Sequence, residues 1–281
     1  MQKRLFKTLA VVSSIALALS GCSSKSTEDS GLPKIDMMKS LGAGEGAVNI
    51  VGWAGYVENG STDPKVDWVS GFEKETGCKV NFKVGSTSDE MVSLMQSGEY
   101  DVVSASGDAS LRLIYGGDVA PVNTDLIPNY KDVFDNLKLQ PWNSVNGVAY
   151  GVPHGRGANL LAYRTDIVKP APTSWGAVFD TNSPYKGKIT AYDSPIYIAD
   201  AALYLMKTNP DLGIKYPYAL DQKQFDASVE LLKSQKPLIG EYWGDYLKHV
   251  ASLKSGATVL GTTWQVNINL AKSEEIGRAH V

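Results

Sequence analysis

The sequence predicts an α/β fold of two lobes, on three observations. Short β-prone runs alternate with helical stretches, a glycine-rich segment (His154-Gly155-Arg156-Gly157) divides two such series, and 281 residues approach the size at which a single core stops growing. Strands that alternate with helices pair in parallel through crossover connections, so each series builds its own sheet. The composition suits this: 43% hydrophobic residues with 27 Gly and 13 Pro are those of a globular chain able to bury a core.

Ala47 to Trp53 (AVNIVGW) is the first β-prone run. Asp63-Pro64 reads as an N-cap followed by proline at the first helical position, opening a helix from Lys65 to Glu75 with Trp68 and Phe72 on one face. Gly77 stops it, Cys78 to Val84 reads as a strand, and Ser88 caps a helix whose apolar face carries Met91, Leu94 and Met95. Asp101 to Ser104 is strand-like, Ala109 to Tyr115 helical, and Val119 to Val122 a short strand. Lobe one is therefore expected over residues 47–150. The β-prone Gly147 to Pro153 then runs into a hinge at residues 151–157, for which Gly151, Pro153, Gly155, Arg156 and Gly157 are the candidates. Lobe two, residues 158–274, holds strands at Leu160 to Tyr163, Lys188 to Tyr192 and Thr258 to Thr262. Its helices are Pro195 to Met206, Gln222 to Lys233 and Asp245 to Lys254, the middle one with Phe225, Val229 and Leu232 on its apolar face.

The two ends read differently. Lys3, Arg4 and Lys7 precede an apolar run from Leu9 to Leu19 that is short for a bilayer crossing, so residues 1–22 form a signal peptide. It ends Leu19-Ser20-Gly21-Cys22, which resembles a bacterial lipobox, in which the cysteine is acylated and anchors the mature chain to a membrane. Removing the three basic residues takes the net charge from -3 to -6. Cys78 is then left without a partner and reads as a small buried hydrophobe. Residues 23–46, rich in Ser, Gly, Lys and Glu, suit a flexible tether. Residues 275–281 (Glu275-Ile276-Gly277-Arg278-Ala279-His280-Val281) resemble the translation of a sequencing adapter, so the chain reads as an N-terminal fragment whose second lobe-one segment is missing. The sheet of lobe one would keep an open edge, an invitation to aggregation.

Charge and motifs exclude several functions. A net charge of -3 offers no basic excess to release counterions from phosphates, so nucleic acid is not a partner. His154, His249 and His280 are isolated from one another and from cysteine, giving no metal site, and no nucleotide or other cofactor motif is present. A hydrolase remains imaginable from Asp193-Ser194 and His154, but no third residue is nominated to orient the base. Ligands of open α/β sheets bind outside the carboxyl ends of the strands. There the sequence places Trp53-Ala54-Gly55-Tyr56, Ser106-Gly107-Asp108, Tyr192-Asp193-Ser194 and Trp264-Gln265. Aromatic rings interleaved with acids and hydroxyls suit a small cation, through cation-π contact and charge-assisted hydrogen bonds. The alternative is an anionic or uncharged solute held near Arg156, with Arg164 as a second clamp.

At these residues the stretch from Val48 to about Ala271 resembles the spermidine/putrescine-binding receptors of ABC importers. The resemblance rests on W-x-x-Y at Trp53 to Tyr56, F-E-K-E-T-G at Phe72 to Gly77 and S-D-E-M at Ser88 to Met91. It continues through Y-D-V-V-S-A-S-G-D at Tyr100 to Asp108, Y-G-V-P at Tyr150 to Pro153 and P-x-S-W at Pro172 to Trp175. It implies the type II periplasmic-binding-protein fold, a polyamine ligand, a membrane permease as partner, an extracytoplasmic location and no enzymatic activity. It also implies that Trp53 and Tyr56 sandwich the polyamine chain, Ser106 adds a hydroxyl contact and Trp264 forms the opposing wall. Two positions where relatives carry acids are Tyr197 and Asn267, which leaves Asp108 and Asp193 as candidate ammonium partners. The expected mechanism is capture by lobe closure about the hinge.

Overall fold

The computed structural model describes residues 31–61, 63–273, 279 and 280. The expected signal peptide with Cys22, the first part of the tether and most of the tail lie outside the described residues. By its contacts the chain divides into Met1–Gly31 and Leu32–Val281, and the second unit carries all that follows. Before the first strand, the described residues form no helix or strand, but Asn123 Nδ2 donates to the Met38 carbonyl at 3.0 Å, so part of the expected tether lies against lobe one.

The first sheet contains β1 (Ala47–Gly52), β2 (Lys79–Val84) and β3 (Val102–Val103) in the order β2-β1-β3, all parallel. Helices α1 (Val69–Thr76), α2 (Ser88–Gln96) and α3 (Gly107–Gly116) connect and follow these strands. Val51 of β1 is fully buried and packs with Met91, Met95, Ala109 and Leu113, which fixes α2 and α3 on the sheet. The first helix begins later than the sequence predicts. Asp63 spends its side chain on the Lys65 N–H at 2.9 Å in a local turn, and Asp67 takes the Ser70 N–H at 2.9 Å four residues further on. Trp68 and Phe72 consequently stay exposed rather than forming a buried face. Thr87, not Ser88, caps α2 by accepting from the Glu90 N–H, which leaves the Ser88 hydroxyl free to point at α3. Cys78 is half-buried rather than buried.

Residues 119–122 are not a strand; Val122 makes one backbone bond to Ala149 and the chain continues through 3₁₀ turns between Thr124 and Leu137. A hairpin of β4 (Ser144–Val145) and β5 (Val148–Ala149) turns through Asn146 and Gly147, whose φ angles of 53° and 76° are those of a type I′ turn. Residues 151–157 then have no regular structure.

The second sheet is built from β6 (Leu160–Arg164), β7 (Ile189–Tyr192), β8 (Ile239–Trp243), β9 (Leu260–Thr263) and β10 (Ala279–His280), in the order β10-β6-β9-β7-β8. Its helices are α4 (Gly176–Phe179), α5 (Ile196–Thr208), α6 (Gln222–Gln235), α7 (Tyr246–Ser255) and α8 (Gln265–Ser273). The sheet is mixed: β7 runs parallel to β8 and β9, whereas β6 is antiparallel to β9 and β10. Every residue of β7 is buried, as a central strand covered on both faces requires. Phe225 is exposed, because α6 turns Ser228, Leu231, Leu232 and Gln235 inward instead.

Candidate functional site

The carboxyl ends of β1, β3 and β9 converge on a cleft of roughly 2270 Å³ that also runs along residues 151–159 and the outer side of β3. Trp53 immediately follows β1 and Trp264 immediately follows β9, so each strand delivers an indole to the cleft from its own sheet. The rings meet edge to face, with centroids 5.6 Å apart and planes at 72°. Trp264 is backed by Tyr192 at 4.7 Å and Trp243 at 4.9 Å, and Trp243 stacks on His249 at 4.6 Å. His249 is buried, its Nε2 lies 2.9 Å from Thr263 Oγ1, and burial pushes its imidazole down to about 4. The neutral ring is thus part of the wall behind Trp264. Across the lobes, Tyr192 donates its hydroxyl to the Ser86 carbonyl at 3.1 Å.

Ser106 lines the cleft at the N-terminus of α3. Its hydroxyl donates to Asp108 Oδ1 at 2.7 Å, and the Ser88 hydroxyl lies 2.9 Å from it. Asp108 also accepts from Ser88 at 3.3 Å, and its Oδ2 is buried with no partner among the described residues. It neither caps α3 nor lines the cleft; it orients Ser106. Tyr56 lines the cleft and stacks on His154 with centroids 4.5 Å apart. The five hinge candidates, Gly151, Pro153, Gly155, Arg156 and Gly157, all border the same cleft.

Besides Asp108, three expected site residues are elsewhere. Tyr197 is buried in the core of the second lobe, where Gln235 Nε2 donates to its hydroxyl at 2.7 Å. Burial holds this phenol well above its usual range. Asn267 is fully buried on α8, beside the equally buried Ile268. Asp193 is exposed and borders a separate depression of about 320 Å³ with Asp89 and Tyr242. Ser194 shares that depression while His154 borders the main cleft, so the imagined nucleophile and base do not meet. Arg164 is committed: it forks onto Asp166 at 2.8 and 2.6 Å, holding that carboxyl down at about 2, and donates to the Leu253 carbonyl at 2.9 Å.

Two residues that the sequence reading passed over belong to the site. Trp264 donates its indole N–H to Asn159 Oδ1 at 3.1 Å, and Asn159 Nδ2 donates to Asp200 Oδ1 at 2.6 Å. Both Asn159 and Asp200 line the cleft, and Asp200 is 8% exposed. Burial, partly offset by the Asn159 bond, pushes its carboxyl up to about 7. Tyr218, which lines the cleft near both Asp200 and Asp108, is pushed up to about 12, chiefly by burial. The signal available in the sequence was an acid inside the apolar run Ile198-Ala199-Asp200-Ala201-Ala202, since a carboxylate flanked by small apolar residues on a helix is rarely left to solvent.

Comparison with known proteins agrees with this architecture. The chain is 25% identical over 237 residues to the putrescine-binding periplasmic protein SpuD of Pseudomonas aeruginosa (strain UCBPP-PA14), covering 80% of this chain and 60% of that protein. It therefore spans less than two thirds of that relative's length. The Tp0655 (TpPotD) lipoprotein of Treponema pallidum superposes with a TM-score of 0.63 at 15% identity, over 84% of this chain and 70% of that one. The spermidine/putrescine ABC transporter substrate-binding protein PotD from Streptococcus pneumoniae gives 0.57 at 19% identity, over 83% and 67%. These structures share the two-lobed α/β fold. Residues 67–279, from just before α1 to the last described strand, match the profile of bacterial extracellular solute-binding proteins, and the chain belongs to that family of solute receptors rather than to a family of enzymes.

Proposed function

We propose that this chain is the extracytoplasmic receptor of an ABC importer and captures a polyamine such as putrescine or spermidine. The observation that carries the reading is the pair Trp53 and Trp264, delivered from opposite lobes with centroids 5.6 Å apart. Two indole rings, edge to face here and parted on ligand entry, suit a methylene chain ending in an ammonium group, which gains both apolar burial and cation-π attraction, worth about 0.5 to 2 kcal/mol per ring. The relationship to a putrescine-binding protein supports the same ligand class. Ligand entry parts the two rings, and rotation about residues 151–157 presses them back onto the chain. The closed form is read by a membrane permease, while an acylated Cys22 holds the receptor at the outer face of the membrane.

The anionic alternative is weakened because Arg164, the second arginine of the expected clamp, already serves Asp166 and does not line the cleft. Titration calorimetry against putrescine, spermidine, glycine betaine and a dicarboxylate tests the proposal. The two polyamines are expected to bind saturably and the others not; saturable binding of the dicarboxylate alone overturns it. Small-angle scattering with and without putrescine tests closure, and an unchanged radius of gyration despite saturable binding overturns that mechanism.

A further inference from the structure

Asp200 occupies a place in the cleft that the tryptophan pair does not account for. It sits in the first half of α5, is more than nine-tenths buried, and borders the same cleft as Trp53 and Trp264. Its orientation is fixed by a relay. Asn159 has one amide oxygen and one amide nitrogen to offer; the oxygen is taken by the Trp264 indole N–H at 3.1 Å, which turns the nitrogen onto Asp200 at 2.6 Å. The groups facing Asp200 are phenols, Tyr197 from its own helix and Tyr218 from the stretch before α6. The cations that border the cleft are Arg156 in the hinge and Lys207 seven residues along α5, and neither forms an ion pair with Asp200. A buried carboxylate with one amide donor and no cation is costly to ionise. What the arrangement lacks is a positive charge, and the cleft is where one would enter.

We propose that Asp200, oriented by Asn159, is the carboxylate that receives an ammonium group of the captured solute, and that capture ionises it. The inference rests on the polyamine reading above. The proton balance is simple: a neutral carboxyl and an incoming ammonium become a carboxylate–ammonium pair, and the carboxyl proton leaves to solvent. The raised proton affinity that burial gives the free carboxyl makes this exchange measurable near neutral pH. Asp200 then selects for charge, while the tryptophans select for the methylene chain. Asn159 acts as a positioning residue, and because it also holds Trp264, the ring and the charge are set by one side chain.

The test is calorimetry of putrescine with the full chain from pH 5.5 to 8.5, in buffers of different ionisation enthalpy. Affinity is expected to rise about tenfold per pH unit below about 7 and to level off above it, with close to one proton released at the acid end and none at pH 8.5. Asp200→Asn is expected to abolish the proton release and the slope, and to weaken putrescine at least tenfold at pH 8.5, with thermal melting used to establish that the variant folds. Asn159→Leu removes the bond that favours the ionised form, so the level region should begin at a higher pH, a change that a purely structural asparagine would not cause. Putrescine binding by the unaltered chain without proton release or pH slope, or Asp200→Asn within twofold of it at pH 8.5, overturns the assignment and leaves the polyamine reading standing. Failure of the unaltered chain to bind putrescine or spermidine at any pH overturns the polyamine reading, and the assignment with it.

Discussion

Trp53 and Trp264 differ in what each touches within the protein. Trp53 offers a face and an edge contact, whereas Trp264 also donates to Asn159 and is backed by Tyr192 and Trp243. Trp53→Ala is therefore expected to weaken putrescine by about 1 to 3 kcal/mol, the loss of one stacking face in a desolvated site, as read by calorimetry. Trp264→Ala should cost more, because it also releases the amide that aims Asp200. Trp264→Phe separates the two contributions: it keeps a ring but deletes the donor, and equal affinity in Trp264→Phe and the unaltered chain would show that the N–H bond is idle. Asp108→Asn should leave affinity within about threefold, since the amide oxygen can still accept from Ser106 and the residue does not line the cleft. That Trp53, Tyr56, Ser106 and Trp264 border one cleft was legible in the sequence because each lies just beyond a strand, and strand ends converge. Asp200 was not, because it lies inside a helix and reaches the cleft only through the packing of α5 beside the sheet. Tyr197 and Asn267 were misplaced for the reverse reason: position along the chain says nothing of which side of a helix faces the cleft.

The second sheet reaches its close spacing through glycine. Gly261 of β9 lies between Ala162 of β6 and Thr190 of β7, and a Cβ there would sit 2.1 Å from the Thr190 carbonyl oxygen. That oxygen belongs to the ladder and cannot turn aside as a flexible side chain could, so Gly261→Ala forces β9 away from β7. The expected cost is about 3 kcal/mol in urea unfolding, at the upper end for overpacking, with a loss of putrescine affinity because Trp264 lies three residues on. A variant as stable as the parent would show that the strands have room to separate. At this scale most of the pattern was readable: β1, β2, β6, β7, α5, α6 and α7 fall within a few residues of their expected positions. The misses have physical causes. Strand β8 carries Gly240 and Glu241 in its middle and follows directly on a proline turn, so neither alternation nor β-branching marks it. The start of α1 moved because two aspartates competed for it, and Asp67, nearer the apolar turn, won.

The whole molecule stores two opposed proton equilibria, one in the cleft and one behind it. Asp200 has its carboxyl raised to about 7 from an unfolded value near 3.8, so the free folded protein holds a proton that the unfolded chain has lost between these limits. Its contribution is therefore fully present below about pH 4 and is lost as pH rises towards 7. His249 has its imidazole lowered to about 4 from 6.5, so its contribution is fully present above pH 6.5 and is lost as pH falls towards 4. Each slope is about 1.4 kcal/mol per pH unit, and between roughly pH 4.5 and 6.5 they cancel. Acidification from pH 7 to pH 5 should then change the stability of the ligand-free protein little through these two groups. Asp200→Asn removes one side of the balance. Its stability relative to the unaltered chain should fall by about 2 kcal/mol over the same two pH units, because it lacks the proton whose uptake at Asp200 stabilises the unaltered chain on acidification. Urea unfolding followed by tryptophan fluorescence at pH 5 and pH 7 measures this directly. A difference between the two proteins that is the same at both pH values would mean that Asp200 is ionised throughout, and that its burial is relieved by something other than a proton.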